Sequence, residues 1–165
     1  MTADEPKART TAGAEVEAAG EMQDYVSMTI GGQLFGVPVL KVQDVLGTQR
    51  ITRIPLAPPE VAGSLNLRGR IVTAIDVRLR LGLPPRPESE TAMSVVIDQG
   101  GELYSLLVDS VGEVLSLRVR DFERNPPNLD PRWRDFSEGI HRLKQSLLVV
   151  LDVARLLQIG RAEAA

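Results

Sequence analysis

Two aspartates, a lone histidine and a set of arginines are the residues of this 165-residue chain best equipped for chemistry. Asp76 and Asp152 each close an apolar run, residues 71–75 and 147–151, and each is followed by valine. Two carboxylates could divide acid and base work between them. Both, however, precede a short, partly amphipathic segment, 77–83 and 153–159, where a carboxylate accepts the free N–H groups of a starting helix. Two helix caps are therefore the better reading. His141 is the only histidine, and no carboxylate at suitable local spacing would orient it as a base, so it reads as a structural side chain, solvent-facing or hydrogen-bonded. The chain has no cysteine, which removes disulfides, thiolate zinc sites and cysteine nucleophiles together. Phosphate loops, nucleophile elbows and the zinc-protease motif are missing as well. The expectation is a non-enzyme without metal or cofactor.

Arginine points elsewhere. Beyond residue 24 the chain has 17 bases, and all but Lys41 and Lys144 are arginine, the side chain suited to paired hydrogen bonds with carboxylates at interfaces. Arg68 stands with Asn66 and Arg70 on the polar face of an alternating stretch, 64–71, and is the strongest single candidate for a partner contact. Trp133 lies in a proline-rich stretch, 125–134, and reads as an anchor that buries its ring to tether a long loop. Within 37–46, Pro38 cannot donate a backbone hydrogen bond, so the segment is an edge or leaves its sheet there. Val39, Val42, Val45 and Leu46 follow on one side at helix-like spacing. Any of these left exposed would offer an apolar patch to another protein.

The elements that position these residues come in two copies. Sliding residues 25–46 forward by 69 gives eight identities in 22 positions, including Gly31-Gly32 on Gly100-Gly101 and Val45-Leu46 on Val114-Leu115. Chance would give about one or two. At an offset of 76 the match resumes, with Gly63 on Gly139, Leu67 on Leu143, and Asp76-Val77 on Asp152-Val153. The seven extra residues are expected in the 125–134 loop. Each copy reads as β. Val26, Met28 and Ile30 alternate with polar neighbours, Gly31-Gly32 supplies a tight hairpin turn, and the runs 71–75 and 147–151 suit strands covered on both faces. The expected fold is all-β with minor short helices, two tandem five-stranded barrels packed side by side with a groove between them. Barrel one is expected at about 25–90 and barrel two at about 91–160, with the end strands open to exchange. Residues 161–165 are expected to be a C-terminal tail.

Charge and composition set the remaining limits. Residues 1–24 hold six acids against two bases and offer almost nothing to bury, which predicts a disordered acidic tail. The other 17 bases face 16 acids, a near-neutral balance that argues against bulk electrostatic binding to nucleic acid. A single-strand-binding barrel would also want exposed aromatics, and the chain has only Trp133, Tyr25, Tyr104, Phe35, Phe122 and Phe136. No apolar run approaches membrane-spanning length and residues 1–24 lack a signal-peptide core, so a soluble cytoplasmic protein is expected.

Taken together, these segments resemble CheW, the coupling protein family of bacterial chemotaxis. The resemblance runs through Phe35-Gly36-Val37, Leu40-Lys41-Val42-Gln43-Asp44-Val45, Thr52-Arg53-Ile54, Gly63 with Asn66-Leu67-Arg68-Gly69, Ile71-Val72, Ile75-Asp76-Val77-Arg78, and residues 107–115. It spans about residues 25–159. It implies two SH3-like barrels without activity or cofactor of their own, bridging the cytoplasmic tips of methyl-accepting chemoreceptors to the regulatory domain of the histidine kinase CheA, with other CheW copies as further partners. By motif, receptor contacts fall in the groove at Val42, Asp44, Gly63, Asn66 and Arg68. Kinase contacts fall at the barrel ends, at Val45 and Ile51 on the first barrel and Arg124 and Leu129 on the second. Such a protein is recruited to membrane-associated arrays without inserting in the bilayer, and the same scaffold is expected in non-flagellar chemosensory pathways. Two departures stand out: Pro38 replaces a commonly polar residue, and 124–135 follow the pattern poorly. The chain is too short to carry an added phospho-accepting receiver domain.

Overall fold

The computed structural model of the chain describes residues 20–159. The first nineteen residues of the expected acidic tail, and the C-terminal tail 161–165, lie outside them. The tail boundary at residue 24 needs correction, because β1 begins at Met22 and runs to Ile30. Met22 and Asp24 pair with Arg118 and Ser116, and the Ser116 hydroxyl donates to Asp24 Oδ1 at 2.6 Å. A long partner strand thus draws three residues of low apolar content into the sheet.

The elements follow as β2 Gln33–Pro38, β3 Val42–Leu46, β4 Val61–Leu67, β5 Arg70–Asp76 and α1 Val77–Arg80. The second copy contributes β6 Met93–Gln99, β7 Glu102–Val108, β8 Ser110–Arg118, α2 Pro131–Arg134, β9 Ser137–Arg142, β10 Leu147–Leu151 and α3 Val153–Leu156. Equivalent elements repeat in detail. Gly31-Gly32 and Gly100-Gly101 all have positive φ, the conformation a two-residue hairpin turn requires. Asp76 accepts the Leu79 N–H and Asp152 the Arg155 N–H, so both aspartates are helix caps. The strand pairs close alike too: Thr52 bridges to Ser64 and Glu123 to Ile140. These two bridges place two of the seven extra residues before Glu123 and only five in the loop after it.

The strands form two five-stranded sheets, in the orders β8-β1-β2-β10-β9 and β3-β6-β7-β5-β4. Neither is a contiguous half of the chain, so a division near residue 90 does not separate them. The hairpin β1–β2 sits with β8, β9 and β10 of the other copy, while β6–β7 sits with β3, β4 and β5. The repeat explains the exchange. Two hairpins alike in length and turn offer equivalent edges to either set of three strands, so self-similarity alone cannot choose between pairing within a copy and pairing across copies.

Because alternate residues of a strand face opposite ways, each sheet feeds two cores. Leu65, Val72, Ala74, Val96, Leu103 and Leu107 fill one barrel, and Tyr25, Leu148 and Val150 the other. The opposite faces, among them Phe35, Val37, Ile97, Leu106, Val149 and Leu151, meet in one large cluster shared between the barrels. The apolar run in β10 is thus covered on both faces. In β5 the run is not continuous inside, since Ile71 is 77% exposed.

Two polar staples join the barrels across that cluster. The Asp109 carboxylate, between β7 and β8, accepts from Gly31 N–H at 2.8 Å, Arg78 at 2.9 Å and Arg86 at 2.7 Å. It thereby ties the β1–β2 turn to α1 and to the connection between the copies. Arg80 of α1 donates to the carbonyls of Leu156 (2.9 Å) and Arg155 (3.2 Å) at the end of α3, and lies 4.7 Å over the ring of Phe136. Cations suit that helix end because its last carbonyls lack intrahelical partners.

Candidate protein-docking site

The loop between β4 and β5 has two residues, Arg68 and Gly69, with φ of 51° and 85°. That turn geometry normally selects glycine, asparagine or aspartate. Arginine at its first position costs about 1 kcal/mol of backbone strain. Asn66 supports the turn by accepting the Gly69 N–H on Oδ1 at 2.8 Å. Arg68 is therefore a turn-tip residue, which corrects its placement on a strand face: the Leu65/Leu67 alternation stops one residue earlier than it reads. Arg68 thus combines a left-handed backbone with a side chain that is 81% exposed.

Barrel closure brings Asp44 to this tip. β3 and β4 are opposite edges of one sheet, and the Thr52–Ser64 bridge folds them together. Arg68 then reaches Asp44 Oδ2 at 3.3 Å, while Asp44 Oδ1 accepts the Val45 N–H at 2.9 Å. An ion pair this open contributes little to stability, so the guanidinium is available to exchange Asp44 for a partner's carboxylates. In the second copy Glu113 and Lys144 stand at the matching positions, and no ion pair joins them among the described residues. The two barrels have diverged at this rim.

Of the five expected receptor-contact residues, Asp44, Asn66 and Arg68 come together here. Val42, on the same strand as Asp44, is only half exposed and packs against the shared cluster. Gly63 is buried in β4 with φ of 149°, and a Cβ there would stand 2.2 Å from the Thr52 carbonyl oxygen. Its glycine is thus demanded by barrel closure, whatever else it contacts. Ile71 was missed by reading the β5 run as buried. It lies directly across the hairpin from Asn66 and adds an exposed apolar side chain to the rim. Its position one residue after the exposed Arg70 was the available signal.

The expected kinase contacts divide. Val45 is exposed on β3, Ile51 is half-buried against the core of its own barrel, and Arg124 is exposed. Leu129 is buried in the shared cluster beside Trp133, so as the chain stands it offers no surface to a partner. The loop extension that carries both turns inward, with the Trp133 ring edge-on to Phe35 at 5.4 Å.

His141 is neither solvent-facing nor hydrogen-bonded through Nε2. It is 2% exposed, Nε2 has no partner among the described residues, and the rings of Tyr25 and Phe122 meet it edge-on at 5.5 and 5.7 Å. Burial holds its pKa below the ordinary imidazole value, with Asp121 and Glu123 pulling weakly the other way. The folded state then binds a proton less readily than the unfolded chain. Stability is accordingly expected to fall as pH drops below about 6.5. In urea unfolding at pH 7.5 and 5.5, His141→Phe should lose less stability between the two than the parent. Equal losses would show that His141 does not titrate in this window.

The CheW-like domain family matches residues 24–160. Chemotaxis protein CheW of Klebsiella aerogenes is 30% identical over 141 residues, covering 84% of this chain and 85% of that one. Protein PilI of Pseudomonas aeruginosa is 27% identical over 124 residues, 75% of this chain and 70% of its own. Among solved structures, the scaffolding protein TtCheW from Thermoanaerobacter tengcongensis superposes with a TM-score of 0.75 at 27% identity, over 85% of this chain and 90% of that one.

Proposed function

The chain belongs to the CheW family, and from that premise we propose that it is a non-enzymatic adaptor coupling transmembrane chemoreceptors to the histidine kinase CheA. The observation that carries this reading is the rim of the β3–β6–β7–β5–β4 barrel. There Asp44, Asn66 and Arg68, three residues singled out by family motif, converge with exposed Ile71 at one turn. A helical hairpin tip bearing carboxylates would pair with Arg68 and lay its apolar face on Ile71, which is helix-on-surface recognition with an electrostatic clamp. Val45, Ile51 and Arg124 remain the residues offered to the kinase's regulatory domain. Each contact is small, and a repeated receptor–adaptor–kinase array raises its strength through effective concentration. Such an array would recruit the protein to the membrane; no helix among the described residues is long and apolar enough to cross one.

Arg68→Glu is expected to weaken co-sedimentation with receptor-containing membranes about tenfold, the size of a close charge reversal. CheA binding and the melting temperature should hold. Arg68→Gly sharpens the test. Glycine relieves the left-handed backbone, so that variant should melt no lower than the parent while also losing receptor binding. Unchanged co-sedimentation of both variants would overturn the receptor assignment.

A further inference from the structure

Neither half of the chain completes a barrel by itself. The half up to Arg86 supplies β1–β2 to one sheet and β3–β5 to the other, and the half from Met93 supplies the remaining strands of each. The pairings β1–β8, β2–β10, β3–β6 and β5–β7 therefore all run between halves. The polar staples run the same way. Gly31, Arg78 and Arg86 lie in the first half and Asp109 in the second, while Arg80 reaches over to Arg155 and Leu156. The closing bridges, Thr52–Ser64 and Glu123–Ile140, stay within a half.

Residues 87–91, Pro-Glu-Ser-Glu-Thr, tether the halves, and all five are exposed. Among the described residues the hydrogen bonding of this segment is internal, with the Glu90 N–H donating to the Pro87 carbonyl at 2.9 Å. Contacts resume on either side. Before it, Leu83 packs on Gly31 and Arg78 donates to the Pro84 carbonyl at 2.9 Å, which holds 83–86 on the first half. After it, the Ala92 carbonyl accepts from the Thr48 hydroxyl at 3.2 Å. Every contact between the halves is thus indifferent to whether they belong to one chain or to two. During synthesis the first half emerges with the edges of its strands unpaired, so a neighbouring chain's second half competes with its own.

We propose that two copies of this chain exchange halves about residues 87–91, forming a dimer in which each barrel is completed by the partner copy. Exchange is a low-cost route to a dimer, because it needs no interface that the single chain lacks. A tether this short gives a chain's own half an effective concentration in the millimolar range. Exchange then matches closure within one chain at about 1 mM and falls about a hundredfold at about 10 µM. The dimer carries each rim twice. It also leaves the Asp44–Arg68 pair inside one half, so the exchange is independent of the receptor and kinase assignments.

The chain has no cysteine, so a pair placed across the halves reports exchange directly. Asp24 on β1 stands opposite Ser116 on β8, both exposed, at a Cα spacing that a disulfide spans. Full-length Asp24→Cys and Ser116→Cys chains are mixed in urea under reductant, refolded together at about 1 mM and at about 10 µM, and then oxidised. The concentrated sample should give a disulfide-linked dimer on a non-reducing denaturing gel, and the dilute one about a hundredfold less. Chains refolded apart and mixed afterwards should give none. Met22→Cys with Arg118→Cys, the next exposed pair in the same register, repeats the test if the first variants melt early. Equal cross-linking of chains folded together and apart would mean collision at the surface and overturn the proposal. So would monomer at both concentrations, or a dimer by light scattering that carries no cross-link, since its copies would then sit side by side.

Discussion

Asp109→Ala is expected to cost about 3 kcal/mol of unfolding free energy, the lower end of what breaking a largely buried ion pair costs when one partner is removed. In a chain this size that lowers the melting temperature by about 6–12 °C. The argument rests on what remains behind. Arg78 and Arg86 have side chains only 15% and 10% exposed, and both point at this one carboxylate. Removing it leaves two guanidinium groups facing each other and the Gly31 N–H without its acceptor. Nor does the first copy hold a spare, because the position matching Asp109 is Leu40, which projects into solvent. The pH dependence follows the same geometry. Burial pushes the Asp109 carboxyl upward, but the Gly31 N–H, the Arg86 hydrogen bonds and the charges of Arg78 and Arg86 outweigh it and hold the pKa below the usual carboxylate range. The contribution is therefore complete above the unfolded-state pKa and is lost as pH falls through the lower folded one. Urea unfolding at neutral pH measures it, with Asp109→Asn, which keeps an acceptor for Gly31, expected to fall between parent and alanine. A loss under about 1 kcal/mol for alanine would mean that solvent already screens the cluster.

Much of this fold could be read before any coordinates, because its signals are local. Paired glycines mark both hairpin turns, Asp-Val marks both helix starts, and strand alternation in β1 shows which face is wet. What could not be read is non-local. Hairpins equivalent in length and turn cannot declare which set of three strands they join, so the exchange of β1–β2 and β6–β7 had no signature. Arg68 hid for a different reason, since leucine alternation continues up to the turn and arginine is an improbable occupant of a left-handed position. Leu129 looked like surface because it lies among prolines and charges, yet five added residues are enough to fold it over Phe35's barrel. His141 shows the limit of residue type as a guide: a polar residue reads as wet until the rings that cover it, here Tyr25 and Phe122, are known. Motif correspondence picked out three residues, Asp44, Asn66 and Arg68, that the fold brings to one turn. At Gly63 it marked a residue whose identity the fold itself requires.

That last point makes Gly63→Ala the second large effect, and the one that separates contact from architecture. A Cβ at residue 63 would stand 2.2 Å from the Thr52 oxygen and 2.8 Å from Ile51 Cγ2, at a φ of 149° that side chains rarely adopt. The oxygen it strikes is the one that accepts the Ser64 N–H at 2.8 Å, while Thr52 N–H donates back to Ser64 at 2.7 Å. Alanine must therefore break the pair of bonds that closes the barrel. Strain of about 1–3 kcal/mol and two hydrogen bonds at about 1 kcal/mol each make a loss of some 3–5 kcal/mol. Gly69→Ala is the control: its φ is 85° with open space around it, so only about 1 kcal/mol of left-handed strain applies. Closure is also what carries Asp44 to Arg68, so Gly63→Ala should lower the melting temperature and receptor co-sedimentation together. Arg68→Glu, acting at the surface alone, should lower only the second. Were Gly63→Ala to melt with the parent and still fail to sediment with receptors, the glycine would be a direct contact and closure would tolerate a methyl group there. A joint loss would instead mean that receptor binding reads out whether this barrel is shut.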